Sequence, residues 1–202
     1  MSDPGRPSQS GSLQLRGPAL GVLEVSTISR GVVTADAGLK RAPAVLLHSR
    51  AVSGGKHLVF FEGGVAEVEE AMGAGKRIAG DLLLDRVELS AADPQVWGML
   101  GAPVAPPDWS ADAGAEAVAI IETKTVCAAI AAADAACKVA DVLVRDTRFA
   151  VDLAGKAYFT LTGTLDAIEA AAIAATAAAS DRLVGLEVIA QPAPDLRGRL
   201  FR

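Results

Sequence analysis

Three Gly-Lys pairs are the first places in the sequence where chemistry could be expected. A glycine-rich turn that ends in Gly-Lys and is followed by Ser or Thr is typical of a loop that binds nucleotide phosphates. None of the three pairs has that Ser or Thr: the residues that follow are His57, Arg77 and Ala157. The sequence therefore does not predict a nucleotide-binding loop.

Candidate metal ligands and nucleophiles are few. His48 and His57 are the only histidines, and they flank a glycine turn on consecutive predicted strands, so they could face each other across a hairpin. No third or fourth ligand is evident nearby, so a zinc site is not supported. Ser53 lies in the same turn but has no Gly-x-Ser-x-Gly motif around it. We therefore expect no catalytic residues, no metal site and no cofactor, and an enzyme is disfavoured.

Cys127 and Cys137 are the only cysteines. They lie ten positions apart in an alanine-rich segment that predicts a helix, so they point in different directions and a disulfide between them is implausible. Two small, buried thiols in a reduced cytoplasmic protein are the favoured interpretation. A redox or metal role is the alternative.

The composition predicts a folded protein that does not bind nucleic acid. Of 202 residues, 51% are hydrophobic and 21% charged, which is enough to form a sizeable core. The 19 basic and 24 acidic residues give a net charge of −5, so no basic field attracts nucleic acid or an anionic membrane. No stretch reaches the roughly 18 uninterrupted apolar residues of a membrane span. Residues 1–18 are rich in Pro, Gly and Ser and predict a flexible tail of a cytoplasmic protein.

The elements that position these residues occur twice. Residues 19–50 align without gaps with residues 117–148, so Glu24 corresponds to Glu122 and Lys40 to Lys138. The second copy is two residues longer at the glycine turn, so Gly55-Lys56 corresponds to Gly155-Lys156. A change of length in a turn is what a loop tolerates best.

Each copy predicts the element order βαββαβ. The fold class is therefore α+β, with two tandem ferredoxin-like (βαββαβ) domains, each an antiparallel sheet with helices on one face. The first domain is predicted at residues 19–100 and the second at 117–202, joined by a proline-containing linker at 101–116. The alanine-rich helices of the second copy are expected to pack closely on their sheet, because the small side chain of alanine lets another backbone approach.

The start of the second copy resembles the bacterial microcompartment shell domain, in which a strand ending in Ile-Glu-Thr precedes a helix with Ala-Ala-Asp-Ala and a later lysine. The matching residues are Ile121, Glu122, Thr123, Ala132–Ala135 and Lys138. The first copy matches more loosely, and two copies on one chain resemble the tandem shell proteins. The resemblance implies a structural protein of the microcompartment shell inside the cytoplasm. It would form a homotrimer with six domains around a pseudosixfold axis, as a facet tile beside hexameric tiles and pentameric vertices.

The resemblance also implies site residues. The two glycine turns would ring a central pore for metabolites. Their residues are Ser53, Gly54, Gly55, Leu153, Ala154 and Gly155. The first turn offers a hydroxyl and the second an apolar Leu next to Asp152, so a trimer would present alternating polar and apolar segments. Three Ser53 side chains would converge on the axis, but nothing there supplies soft metal ligands.

Lys40 and Lys138 match the lysine that lies at the tile edge in this family. Single-domain members often pair that edge with a Pro-Arg-Pro stretch, which this chain lacks: residues 190–194 read AQPAP. The competing interpretation is a trimeric ferredoxin-like protein that binds a small molecule or takes part in signalling. Lateral assembly distinguishes the two, because a tile forms sheets or tubes and an effector-binding trimer remains discrete.

Overall fold

Two four-stranded antiparallel sheets, each with its own pair of helices, form the frame of the chain. The computed structural model describes residues 17–101, 115–151 and 153–197. The predicted N-terminal tail up to residue 16, most of the predicted linker, Asp152 and residues 198–202 of the predicted second domain lie outside the described residues.

The first sheet has the strand order β2-β3-β1-β4. Its elements, in chain order, are β1 (Ala19–Val25), α1 (Ile28–Arg41), β2 (Val45–Val52), β3 (Lys56–Gly63), α2 (Val65–Ala79) and β4 (Leu83–Leu89). A further helix, α3 (Pro94–Gly101), follows β4.

The second sheet repeats this plan with the order β6-β7-β5-β8. Its elements are β5 (Ala117–Thr123), α4 (Val126–Val139), β6 (Leu143–Phe149), β7 (Ala157–Gly163), α5 (Leu165–Ala179) and β8 (Leu183–Ala190), followed by the short α6 (Pro194–Arg197). The predicted α+β fold with two βαββαβ units is confirmed. The sequence analysis predicted neither α3 nor α6.

On the helix side of the sheet, the two copies fill the space between strands and helices with side chains of different sizes. In the first copy, glycines of α1 leave room for large strand side chains: a Cβ at Gly31 would lie 2.4 Å from His57, and one at Gly38 would lie 2.4 Å from Phe61. In the second copy the residues at the positions equivalent to these four are Ala129, Ala157, Ala136 and Leu161. The total volume is thereby kept similar, which a packed interior requires.

The other face of the first sheet packs against the second domain. Val22 and Phe60 of this face belong to the same hydrophobic core as Val126 and Ile130 of α4. We call this contact the joint: β1, β4 and α3 of the first domain lie on one side, and α4 and β6 of the second on the other. Because α4 is covered by its own sheet and by the joint, it is apolar nearly all round.

Candidate functional site

The first glycine turn, Ser53–Gly55, connects β2 to β3 in a single tight turn. Gly54 has φ +79° and Gly55 has φ +73°, in the left-handed region where a side chain adds strain. Both glycines are exposed, and a Cβ at Gly55 would meet no atom within 4 Å. The glycines are therefore required by backbone conformation rather than by crowding within the chain.

The second turn connects β6 to β7 and is closed by its own backbone. The Lys156 N–H donates to the Leu153 carbonyl at 2.9 Å, and the Ala150 N–H donates to the Lys156 carbonyl at 2.9 Å. Gly155 has φ +83°, and Ala154 takes φ +50° although it is not glycine. This turn is tight without a Gly-Gly pair because hydrogen bonds hold it.

The structure brings the six predicted turn residues together. The Ser53 N–H donates to the Ala150 carbonyl at 3.0 Å, and the Lys56 ammonium donates to the Gly155 carbonyl at 3.0 Å. A Cβ at Gly155 would lie 3.1 Å from the Ser53 carbonyl oxygen and 2.9 Å from Lys56 Cε, so a side chain there would crowd the first turn. The two turns therefore form one continuous surface, to which each domain contributes one turn.

Glu24, at the end of β1, connects this surface to the joint. It is 0% exposed, its Oε1 accepts from Lys56 Nζ at 2.7 Å, and its Oε2 accepts the Val126 N–H at 2.8 Å. The carboxylate thus lies at the positive N-terminal end of α4. Burial raises the pKa of Glu24 above its ordinary value, although the ion pair with Lys56 and the bond from Val126 act in the opposite direction.

Further hydrogen bonds cross the joint. Gln95 of α3 donates through Nε2 to the Val142 carbonyl and accepts through Oε1 from the Val144 N–H, both at 2.8 Å. The Thr125 hydroxyl donates to the Asp85 carboxylate. Sequence reasoning missed these residues and the role of Glu24, and the repetition of Glu24 as Glu122 was the one signal that could have found it.

The two predicted edge lysines are remote from the turns and lie on helix surfaces. Lys40 pairs with Asp36 at 2.7 Å, and Lys138 pairs with Asp134 at 2.6 Å, each one helical turn apart. The two lysines differ in surroundings, because Asp134 is buried at the joint and also accepts the Asp93 N–H at 2.9 Å. Lys40 is the more exposed of the two.

The histidines do not face each other, because the sheet register places them on opposite faces of the β2-β3 hairpin. His48 pairs in register with Phe60, and its Nε2 lies 3.2 Å from the Leu100 carbonyl. His57 faces α1, its Nε2 lies 2.8 Å from the Ser49 hydroxyl, and burial lowers its pKa. Within residues 17–101, 115–151 and 153–197, no three potential ligands cluster in a way that could hold a metal ion.

The family model of the BMC domain matches residues 19–91 and again residues 117–192. The protein belongs to the BMC domain family. It carries two BMC domains in tandem, and the resemblance seen in the sequence is confirmed. No helix in the described part of the chain is long and apolar enough to cross a membrane.

Two known proteins are similar to this chain over nearly their whole length. The chain is 34% identical over 180 residues to the bacterial microcompartment shell protein PduT of Citrobacter freundii, covering 86% of this chain and 92% of the relative. The crystal structure of a microcompartments protein from Desulfitobacterium hafniense DCB superimposes with a TM-score of 0.73 at 34% identity, covering 89% and 97% of the two chains.

A third likeness concerns the fold alone. The fused permuted hexameric shell protein MSM0275 from the RMM microcompartment superimposes with a TM-score of 0.56 at 23% identity, covering 79% of each chain. Both structural superpositions agree with the architecture described above.

Proposed function

We propose that this tandem BMC protein is a structural shell protein of a bacterial microcompartment, in which three copies form a pseudohexameric facet tile with a central pore for metabolites. The observation that carries the proposal is that the two glycine turns lie side by side across the joint between the two BMC domains. One chain thus supplies two neighbouring segments of a ring. The shell role of the Citrobacter freundii relative supports the same function.

The division of the chain is part of this proposal. Residues 19–100 form the first shell domain and residues 117–202 the second, with 1–18 as a tail and 101–116 as a linker. The two βαββαβ units support these bounds. Helix α3 follows β4 directly in the chain and is counted with the first unit, and its Gln95 bonds to the second domain across the joint.

The pore is lined by Ser53, Gly54, Gly55, Leu153, Ala154 and Gly155. Each chain contributes one polar turn and one turn that is more apolar. Polar and apolar turns therefore alternate around the ring, which has threefold rather than sixfold symmetry. The tile acts by its shape and its pore and carries no catalytic residues or cofactor of its own. Lys40 and Lys138 lie at tile edges, where hexameric tiles and pentameric vertices are the neighbours.

Light scattering and negative-stain microscopy of the purified protein test this function. We expect a mass of three chains and flat six-sided particles that tile, alone or with a single-domain shell protein. Trimers that never tile with any partner would instead support the small-molecule-binding alternative, which the comparisons do not favour.

The pore is tested by Ser53→Cys in a chain whose native cysteines are replaced by Ala. We expect a short trifunctional maleimide to join three chains, because three copies of this residue converge on one axis. The matched control is Ile173→Cys, whose position on α5 is 74% exposed, and there we expect labelling without joining. Equal joining of both variants would contradict the pore.

The tile edge is tested by Lys40→Ala. We expect trimers of unchanged mass that no longer form sheets, because the change leaves the joint intact and removes one edge cation. Lys76→Ala, on α2, is the matched control and should still form sheets.

A further inference from the structure

Lys56, the first residue of β3, connects the first domain to the second turn through its side chain. Its ammonium donates to the Glu24 carboxylate at 2.7 Å, to the Gly155 carbonyl at 3.0 Å and to the Lys124 carbonyl at 3.4 Å. A lysine ammonium has three N–H groups, so each of them has an acceptor here. The side chain is only 18% exposed. Lys56 therefore ties the backbone of the second domain to a buried carboxylate of the first.

The second turn leaves room for this ammonium. Gly155 is buried, and a Cβ at this position would lie 2.9 Å from Lys56 Cε and 3.2 Å from Lys56 Nζ. A residue without a side chain thus lets the lysine reach the Gly155 carbonyl. The Ser53 N–H, which donates to the Ala150 carbonyl at 3.0 Å, also connects the two turns. The Lys56 bond and this backbone bond both hold the second turn beside the first.

The ammonium of Lys56 stays in this position because Glu24 balances its charge. The two carbonyl groups are neutral, and a charge that is removed from water without a counter-ion is costly. Glu24 is 0% exposed and its other oxygen accepts the Val126 N–H at 2.8 Å, so the carboxyl group is fixed in place. Once Glu24 is neutral, the long side chain of Lys56 gains free energy by turning its ammonium to water.

The surroundings of Glu24 favour the uptake of a proton. Burial is the largest influence and raises the pKa of Glu24, whereas Lys56 and the Val126 N–H lower it. Asp85, which lies opposite Glu24 in the register of β1 and β4, raises this pKa further. The Cys127 thiol of α4 adds no charge, because burial raises its own pKa well above the ordinary value.

We propose that Glu24 and Lys56 form a proton-controlled brace on the second turn. While Glu24 is ionised, Lys56 stays on the Gly155 carbonyl and the second turn is held beside the first. When Glu24 takes up a proton from solvent, Lys56 turns to water and the second turn is released from it. The consequence for a pore rests on the proposed function: in a trimer, three such releases would change the width and the charge of the opening together.

Hydrogen exchange of the Ser53 amide, measured by mass spectrometry of a peptide that contains it, reports how firmly the two turns are held. Rates are divided by the intrinsic exchange rate at each pH. We expect Lys56→Met to speed this exchange at least about tenfold at neutral pH, because methionine keeps the apolar stem and loses the charged hydrogen bonds. Lys76→Met, on α2, is the matched control and should exchange as the wild type does.

The pH profile separates a brace from a contact that is merely structural. We expect the corrected exchange of the wild type to become faster as the pH falls through the titration of Glu24. Glu24→Gln should exchange fast at every pH between about 5 and 8, since it carries no charge to lose. Glu169→Gln, at an exposed position of α5, should follow the wild type. All chains carry Asp152→Asn, so that the carboxylate of the second turn does not contribute.

The two variants act on opposite ends of the brace, so either of them tests it if the other does not fold. A pH dependence that persists in Glu24→Gln would overturn the proposal, because another group such as His57 would then be its source. His57 follows Lys56 in the chain but faces α1 and bonds to Ser49.

The exchange is measured within one chain, which separates this inference from the proposed function. Equal corrected exchange in the wild type, Lys56→Met and Glu24→Gln at every pH would overturn the brace and leave the trimer and its pore standing. A wild-type protein that is monomeric at every concentration would overturn the pore. The exchange of the monomer would then still decide whether Glu24 and Lys56 hold the second turn.

Discussion

Glu24 is a charged residue that the fold buries completely in the joint between the two BMC domains. Its carboxyl group binds the Lys56 ammonium and the first backbone N–H of α4 at once. A buried ion pair of this kind contributes little net stability, because taking the charges out of water offsets much of their attraction. Burial is accordingly the largest influence on the pKa of Glu24 and raises it.

The raised pKa of Glu24 gives a pH-dependent stability. A carboxyl whose pKa is higher in the folded state contributes stability below its ordinary value of 4.5, and that contribution is lost as the pH rises through the folded pKa. Glu24→Gln mimics the neutral form and still accepts the Val126 N–H. We therefore expect the free energy of unfolding of the wild type to fall relative to Glu24→Gln as the pH rises from 4.5 through the raised pKa of Glu24.

Urea titrations at several pH values measure that difference. Glu169→Gln, an exposed position, is the control and should run parallel to the wild type. If Glu24→Gln is instead less stable than the wild type by a margin that grows with pH, the ion pair with Lys56 outweighs the cost of burial.

The two thiols are expected to be chemically inert in the folded protein. Burial raises the pKa of Cys127 well above its ordinary value and that of Cys137 to about 12, against an ordinary value of 9.0. Because the thiolate is the reactive form, alkylation of Cys137 by iodoacetamide at pH 8 should be about a thousandfold slower than in urea. Mass spectrometry over time measures it, and alkylation at comparable rates would show that the C-terminal end of α4 opens readily.

At the scale of elements, the packing of the first domain depends on glycines in its helices that leave room for large side chains on its strands. We expect Gly31→Ala to lower the free energy of unfolding by about 1–3 kcal/mol, because the added methyl group meets the buried His57 ring. Alanine is the better helix former, so the sign of the change reports packing rather than propensity. Chemical denaturation followed by circular dichroism measures it.

Two further variants make this test specific. Gly73→Ala, where the nearest atom is Arg77 Nη1 at 3.7 Å, should raise stability by up to about 1 kcal/mol. Adding His57→Ala to Gly31→Ala recreates the Ala129 and Ala157 pair of the second domain and should recover part of the loss. If the free energy of unfolding does not recover, the side chains at positions 31 and 57 do not compete for the same space.

Most elements were predictable because hydrophobic periodicity and the internal repeat supported each other. Strand β1 begins and ends at the positions equivalent to those of β5, and the same is true of α1 and α4. Helices α3 and α6 were not predictable because each is short: α3 contains Gly98 and Gly101, and α6 has four residues. Helix α3 makes hydrogen bonds across the joint, and the pattern of apolar residues in a sequence does not report such a contact.

At the scale of the whole molecule, the joint makes the two BMC domains one structural unit. Sequence reasoning placed the turns correctly but treated the alanine-rich α4 as an ordinary helix on its sheet. What it lacked was the second surface that α4 contacts, although a helix that is apolar all round already indicates burial on more than one side. The roles of Glu24, Gln95 and Asp85 follow from that surface and cannot be derived from one domain alone.

Gln95 tests this coupling. We expect Gln95→Ala to lower the free energy of unfolding by about 1–3 kcal/mol, because the Val142 carbonyl and the Val144 N–H lose their partner in a half-buried position. Asp195→Ala, at the equivalent but exposed position of the second domain, should leave the stability of the single chain unchanged. Differential scanning calorimetry at equal protein concentrations measures both, and equal losses would show that the joint does not distinguish the two positions.

The covalent link between the two domains determines which turns a ring of the proposed pore contains. Two separate proteins with these two turns could mix in any proportion and any order around a ring, and every arrangement would have a different opening. When both domains belong to one chain, the joint always brings one turn of each kind together, so the amino-acid sequence fixes the order of the turns. Every ring of this protein would then contain the two turns in equal number and in the same alternating order, whatever the expression levels of other shell proteins.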